Sequence, residues 1–204
     1  MIRSNWIVAL LIYSIFFFWY TNFSGPLSQE EISLAIQRIE EGDLASKKNK
    51  ENILKFMQED DGGDFYMVNY LDFNENPPTL KHTGKGASAE DLMNYYMEYM
   101  YPEMFSRASH PVFFGAISAN ALDHIGAEET KKWDQVGIVR YRSIRDMLEI
   151  SGNEVFNERH EYKVGALIKT IAVPVPSPLF FDLRIIVLML ILILTLSLDL
   201  YRKK

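Results

Sequence analysis

Two polar side chains stand where everything around them is apolar. Asn69 lies inside Phe65-Tyr66-Met67-Val68-Asn69-Tyr70-Leu71-Asp72-Phe73, and Arg140 inside Val136-Gly137-Ile138-Val139-Arg140-Tyr141. A buried polar group must be hydrogen-bonded and a buried charge must be paired. One reading is structural. Asn69 bridges backbone or a dimer contact, and Arg140 pairs with a carboxylate such as Asp72 or Asp134. The other is a small-molecule pocket between helices and sheet, oriented by Asn69, Tyr96, Arg140 and His160, with His160 the base nearest neutral pH.

Other chemistries are excluded by residue type or spacing. The four histidines, His82, His110, His124 and His160, never recur at the i, i+4 spacing of a helical metal pair, so no metal is expected. The chain has no cysteine, hence no thiolate nucleophile and no disulfide. No serine elbow is present. Glu59-Asp60-Asp61-Gly62-Gly63-Asp64 lacks the alternating carboxylates and closing Glu of a calcium loop. Gly84-Lys85-Gly86 lacks full phosphate-loop spacing. No cofactor is expected and no catalytic residue is assigned.

The elements that must hold these residues follow from periodicity and caps. Ser28-x-x-Glu31 is a capping box ahead of Ile32, Ala35, Ile36 and Ile39 at helical spacing, which Gly42 stops. Ile53, Leu54, Phe56 and Met57 predict a second short helix. Spacing alone leaves open whether these two helices are a stalk or have a further role. Phe65–Phe73 is a strand, and the Pro- and Gly-containing stretch 74–86 a loop. Ser88-x-x-Asp91 caps a helix with a Leu92, Tyr96, Met100, Met104 stripe, which Pro102 should kink. Val112–Ile117 and Val136–Tyr141 are strands. Ser143 caps a helix carrying Ile144, Met147 and Leu148, interrupted at Ser151–Glu154. Ala166–Val173 is the last strand, and Pro174, Pro176 and Pro178 stiffen the segment after it. The order β-α-β-β-α-β is the ferredoxin-like arrangement, an α+β fold.

Both ends of the 204-residue chain are apolar, from Trp6 to Tyr20 and from Ile185 to Leu198. Crossing about 30 Å of hydrocarbon takes roughly 17–25 helical residues. Counting Asn5 to Phe23 and Leu179 to Tyr201 gives two membrane spans, with Asp182, Arg184 and Asp199 near the ends of the second. The alternative for the first is a cleaved signal peptide, but Thr21–Gly25 lacks a small-x-small site. The alternative for the second is a buried core helix. The expected layout is a transmembrane anchor over 1–24, a helical juxtamembrane segment over 25–58, the α+β domain over 59–174, a Pro-containing linker over 175–184 and a transmembrane helix over 185–201. Arg3 and Arg202-Lys203-Lys204 place both termini in the cytoplasm and the domain outside it. Two of 27 acidic and five of 21 basic residues lie in the end segments, leaving 25 against 16, a net of −9. An acidic middle argues against nucleic acid as a partner.

Several short motifs carry a resemblance. Met67-Val68-Asn69-Tyr70-Leu71-Asp72-Phe73, Tyr95 or Tyr96 with Pro102, Trp133-Asp134-x-Val136, Tyr141-x-Ser143, and Arg159 with Leu167 are similar to elements of the bacterial domain of unknown function 1330 family. The resemblance runs over about residues 50–174. Arg142 departs from the family's Pro, and Ser109-His110 from its frequent Gly. It implies a dimeric α/β-barrel in which two sheets face each other, within a superfamily that includes cofactor-free monooxygenases, isomerases and haem enzymes, so the fold alone names no chemistry.

Three functions remain open: an anchored interaction or sensor module, an accessory subunit of a larger membrane complex, or a cofactor-free enzyme acting on a small apolar substrate. Two anchors and a fold without catalytic geometry favour the first two. Tyr66, Val68 and Tyr70 on one side of the first strand and Met67, Asn69 and Leu71 on the other require cover on both faces. A second copy or residues 28–57 would supply the missing cover.

Overall fold

A computed structural model describes residues 4–41, 47–177 and 182–202. Its elements run α1 (Ser4–Tyr20), α2 (Gln29–Glu41), α3 (Lys47–Gln58), β1 (Phe65–Phe73), α4 (Ala89–Ser106), β2 (His110–Ala116), β3 (Gln135–Tyr141), α5 (Ile144–Ser151), α6 (Glu154–Gly165), β4 (Leu167–Pro176) and α7 (Leu183–Tyr201). The Ser28 and Ser88 capping boxes form, with Ser28 and Ser88 hydroxyls accepting from Glu31 and Asp91 amides and the carboxylates reaching back. Ser143 Oγ accepts from Asp146 N at 3.0 Å. Each satisfies amides that a helix start leaves without an internal partner. Arg3, Gly42, Pro178, Lys203 and Lys204 lie outside the described residues.

The sheet is antiparallel with order β2-β3-β1-β4, the ferredoxin-like arrangement. Alternation divides it into two faces. Met67, Asn69, Leu71, Val139 and Tyr141 face the helices; Tyr66, Val68, Tyr70, Ile138 and Arg140 face away. β4 extends further than the prolines imply, through Pro174 and Pro176 paired with Met67 and Phe65. β4 is an edge strand. Two prolines two residues apart place both missing N–H groups on its unpaired side.

The helix face carries the core. Leu92, Tyr96, Met100 and Met104 of α4 pack with Val139, Tyr141, Ile144, Ile150 and Tyr162. α4 runs through Pro102 without a break. α2 and α3 join this same layer: Ile32 and Met57 are buried in the core, and Phe56 meets Phe65 edge to face at 5.2 Å. Arg145 of α5 ties α2 down through Glu31 at 2.6 Å. The two helices therefore leave the other sheet face alone.

At the β1-start, β3-end edge of that other face, Arg140 is 1% exposed. Its partner is Asp64, at 2.8 Å, not Asp72 or Asp134. Asp72 instead faces Lys169 at 3.6 Å, and Asp134 accepts from Phe73 N at 2.7 Å. The reason is axial position. Asp64 sits just before β1, level with the end of β3, whereas Asp72 and Asp134 lie at the opposite end of the sheet. Arg140 also donates to the carbonyls of Ala108 (2.8 Å) and Tyr20 (3.1 Å), and its guanidinium lies 3.6 Å above the Tyr20 ring. Arg184 of α7 reaches Asp64 at 3.2 Å. Burial pushes the Asp64 carboxyl up, but Arg140 and Arg184 outweigh it and the pKa falls below the usual carboxylate value.

α1 and α7 lie side by side. At their far ends Asn5 Nδ2 and Trp6 Nε1 donate to the Asp199 carboxylate at 2.7 and 3.0 Å. Among the described residues one helix, Leu183–Tyr201, is long and apolar enough to cross a membrane. Ser4–Tyr20 is as apolar but shorter, at 17 residues.

Arg140→Met removes the nearer of two guanidiniums from the Asp64 carboxylate and leaves it Arg184 alone, and breaking a buried pair costs about 3–5 kcal/mol. Chemical unfolding of the full chain is expected to show a loss of about that size, against a smaller one for Lys169→Met at the more exposed pair. Because the folded Asp64 pKa is depressed, its contribution is complete above the unfolded value of about 4 and is lost as pH falls below that. The acid limb of the stability profile should flatten in Asp64→Asn.

A candidate ligand cavity between helix α4 and the sheet

A cavity of about 770 Å³ lies between α4 and the helix face of the sheet. Its α4 wall is Met93, Met97, Met100 and Met104, residues at i, i+4, i+7 and i+11 that share one helical stripe. Its floor is Leu71, Phe73, Val139 and Tyr141. Phe114 of β2 closes one side. It can lie there because Gly137, its cross-strand partner, has no side chain; a Cβ would fall 2.6 Å from the Phe114 ring. Glu75, Ser88, Lys132 and Asp134, from loops at the end away from Arg140, complete the lining. Unbranched, polarisable methionine side chains adapt to a ligand's shape.

Polar groups enter this apolar space at few points. Asn69 Nδ2 donates to the carbonyls of Met67 (3.1 Å) and Gly137 (3.3 Å), which fixes the amide plane and leaves Oδ1 without a protein partner among the described residues. Tyr96 and Tyr141 add phenols. Burial, reinforced by neighbouring Tyr141 and Tyr99, raises the Tyr96 pKa strongly, and burial pushes Tyr141 up to about 12. Both are neutral hydrogen-bond donors at physiological pH. Lys163 of α6 reaches in from the helical layer, its ammonium 5.8 Å from the Tyr96 ring centroid.

The four residues singled out from sequence do not meet at one point. Asn69 and Tyr96 line the cavity. Arg140, one residue out of phase with Val139 and Tyr141, is on the opposite face of the sheet. His160 stands behind Tyr96, with ring centroids 6.4 Å apart, stacked on Phe156 at 5.1 Å. Lys163 was not anticipated. Its signal was available: Phe156, His160 and Lys163 fall at i, i+4 and i+7, one inward stripe of α6. Among the described residues no cluster of three or more His, Asp or Glu is placed to hold a metal.

Comparison with known proteins gives a fold and no family. No family model matches the chain, and no curated protein matches it. The crystal structure of RPA0582, a protein of unknown function from Rhodopseudomonas palustris, matches with a TM-score of 0.51 at 19% identity, over 66% of this chain and 95% of that one. The methylated form of RPA0582 gives 0.54 at 17% identity, over 68% and 96%. A dimeric protein of unknown function with a ferredoxin-like fold, from Bacteroides fragilis, gives 0.34 at 7% identity, over 58% and 99%. What this chain shares with the first two is the α+β fold; no family model supports the resemblance to domain family 1330.

Burial, then the positive charge of Lys163, lowers the His160 pKa. The unfolded chain therefore binds this proton more tightly than the folded one. Stability is complete above the unfolded value of about 6.5 and is lost as pH falls through it. The His160 imidazole resonance in an NMR titration is expected to move at a lower pH than free histidine. His160→Gln should reduce the loss of stability between neutral and mildly acidic pH.

Proposed function

We propose that the protein is a membrane-tethered receptor for a small apolar molecule, a sensor or interaction module built on a ferredoxin-like domain. The methionine-walled cavity carries this reading. Its volume lies within the range of about 300–1,000 Å³ typical of ligand pockets, and its few polar groups have fixed positions. The chemistry favoured is an aromatic or aliphatic body with one polar end, meeting Asn69 Oδ1 and the tyrosine hydroxyls. Native mass spectrometry with 2-naphthol tests it. A one-to-one adduct is expected for the unaltered chain and its loss in Met97→Trp and Met100→Trp, whose indoles fill the space. An adduct persisting in both filled variants overturns the reading.

The tether in this proposal is the α1–α7 hairpin, about 26 and 28 Å long at 1.5 Å per residue. Asn5, Trp6 and Asp199 bring its outer ends together, which supports both termini lying on one side of the bilayer. The positive residues at those ends favour the cytoplasm, with the domain outside. A reporter fused within the 74–88 loop is expected to be active only if it reads an extracytoplasmic location; cytoplasmic activity rejects this topology.

The second partner proposed is another copy. Phe113, Ile171, Val173 and Val175 are each at least 40% exposed on the sheet face that carries Arg140, which among the described residues no helix covers beyond the contact of Tyr20 with Arg140. A two-fold pairing matches this apolar face with itself. It is the barrel dimer implied by the resemblance to domain family 1330. Sedimentation of the detergent-solubilised chain should give a dimer, and Val173→Lys a monomer. A monomer for the unaltered chain removes the proposal.

A further inference from the structure

Lys163 has no ion pair and no hydrogen bond among the described residues, although it borders a cavity that also includes Glu75, Glu90 and Asp134. Asp134 is engaged by Phe73 N and faces Lys132. The ammonium lies instead 5.8 Å from the ring centroid of Tyr96. A lysine kept from carboxylates and set against methionine and tyrosine is in the environment that favours a neutral amine, because desolvation penalises its charged form. Desolvation lowers its pKa here. Lys163 is half-buried on the wall of the ligand space.

We propose that Lys163 is a reactive amine that captures an aldehyde or ketone on the apolar ligand as an imine. The inference rests on the cavity being a ligand site and adds the class of ligand. The neutral Nζ attacks the carbonyl carbon, the C=O π pair moves to oxygen, and a proton passes from nitrogen to that oxygen to give a carbinolamine. Loss of the hydroxyl as water, with the nitrogen lone pair forming C=N, gives the imine. One carbonyl and one amine become one imine and one water, and no oxidant or cofactor is used. Tyr96 is the neighbouring donor able to hydrogen-bond the carbonyl oxygen, its high pKa keeping the phenol protonated while it does so.

The experiment uses the full chain in detergent with 2-naphthaldehyde and sodium cyanoborohydride, which reduces an imine to a stable secondary amine. Intact mass and peptide mapping read the adduct. The expected result is one dominant adduct per chain, mapped to Lys163, forming at least tenfold faster than adducts at exposed lysines outside the cavity such as Lys55 and Lys131. Lys163→Met keeps the apolar stem and should remove that dominant adduct, while the circular dichroism of the variant stays that of the unaltered chain. Tyr96→Phe should slow labelling without moving its site. Labelling spread over surface lysines, or unchanged in Lys163→Met, overturns the inference. If 2-naphthol still binds in that case, the cavity stands as a ligand site without a reactive amine. If neither 2-naphthol nor the aldehyde is retained, both readings fail together.

Discussion

A guanidinium cannot lose its proton inside a protein, so a chain that buries one must build its surroundings to fit. Arg140 is that constraint here. Its hydrogen bonds and ring contact draw in five parts of the chain: β3, which carries it; Asp64 ahead of β1; the turn between α4 and β2 through Ala108; the end of α1 through Tyr20; and, by way of Asp64, Arg184 of α7. The turn has a visible cost. Ala108 sits at φ 52°, the left-handed region that disfavours a residue with a Cβ. Its place is set by a Schellman closure of α4, with Ser109 N on Met104 O (2.8 Å) and Ala108 N on Phe105 O (3.1 Å). That closure turns the Ala108 carbonyl to Arg140. Replacing such a cluster by apolar residues is often neutral in energy, whereas removing one member is not. The cluster thus acts on register and docking more than on net stability.

Fixing the Arg140 end sets the two sheet faces apart. Register in a strand is all or nothing: a one-residue slip of β3 would carry Arg140 to the helix face and Val139 and Tyr141 to the other. With Arg140 held, Asn69, Val139 and Tyr141 must point at α4, and the cavity lies among them. The cavity is further bordered by the loops at the opposite end of the sheet, where Glu75, Ser88, Lys132 and Asp134 lie. Charge cluster and ligand space therefore share strands without sharing a face. A substitution in one should reach the other only through strand position.

Much of this was readable in the sequence. Ser28, Ser88 and Ser143 marked helix starts because their hydroxyls and the following carboxylates have one geometry that satisfies free amides. Alternation in β1 gave both faces, without saying which of them the helices cover. What was hidden depended on partners distant in sequence. Asp64 belongs to an acidic run that reads as a solvated loop, and only the β1–β3 pairing brings it to Arg140. Ile32 and Met57 look alike whether a helix stands alone or docks. Lys163 ends a weakly amphipathic helix, where a lysine ordinarily faces water. Pro174 and Pro176 look like strand breakers unless the strand is known to lie at an edge.

The N-terminal helix has a meaning beyond length and hydropathy. Tyr20, its last residue, is 2% exposed. Its ring lies beneath Arg140, its carbonyl accepts from Arg140, and its hydroxyl pairs with His110 Nε2 at 2.8 Å. His110 Nδ1 faces the Pro111 carbonyl at 3.0 Å, so Nδ1 must carry the proton and Nε2 must accept from Tyr20. Trp19 adds a carbonyl for Arg142 at 3.1 Å. Removing α1 would leave a buried guanidinium short of one acceptor and its ring, and a buried imidazole short of its donor. Those losses fall inside the α+β domain, at the residue that sets its register. The terminal hairpin and the sheet are therefore one folding unit, joined at Arg140.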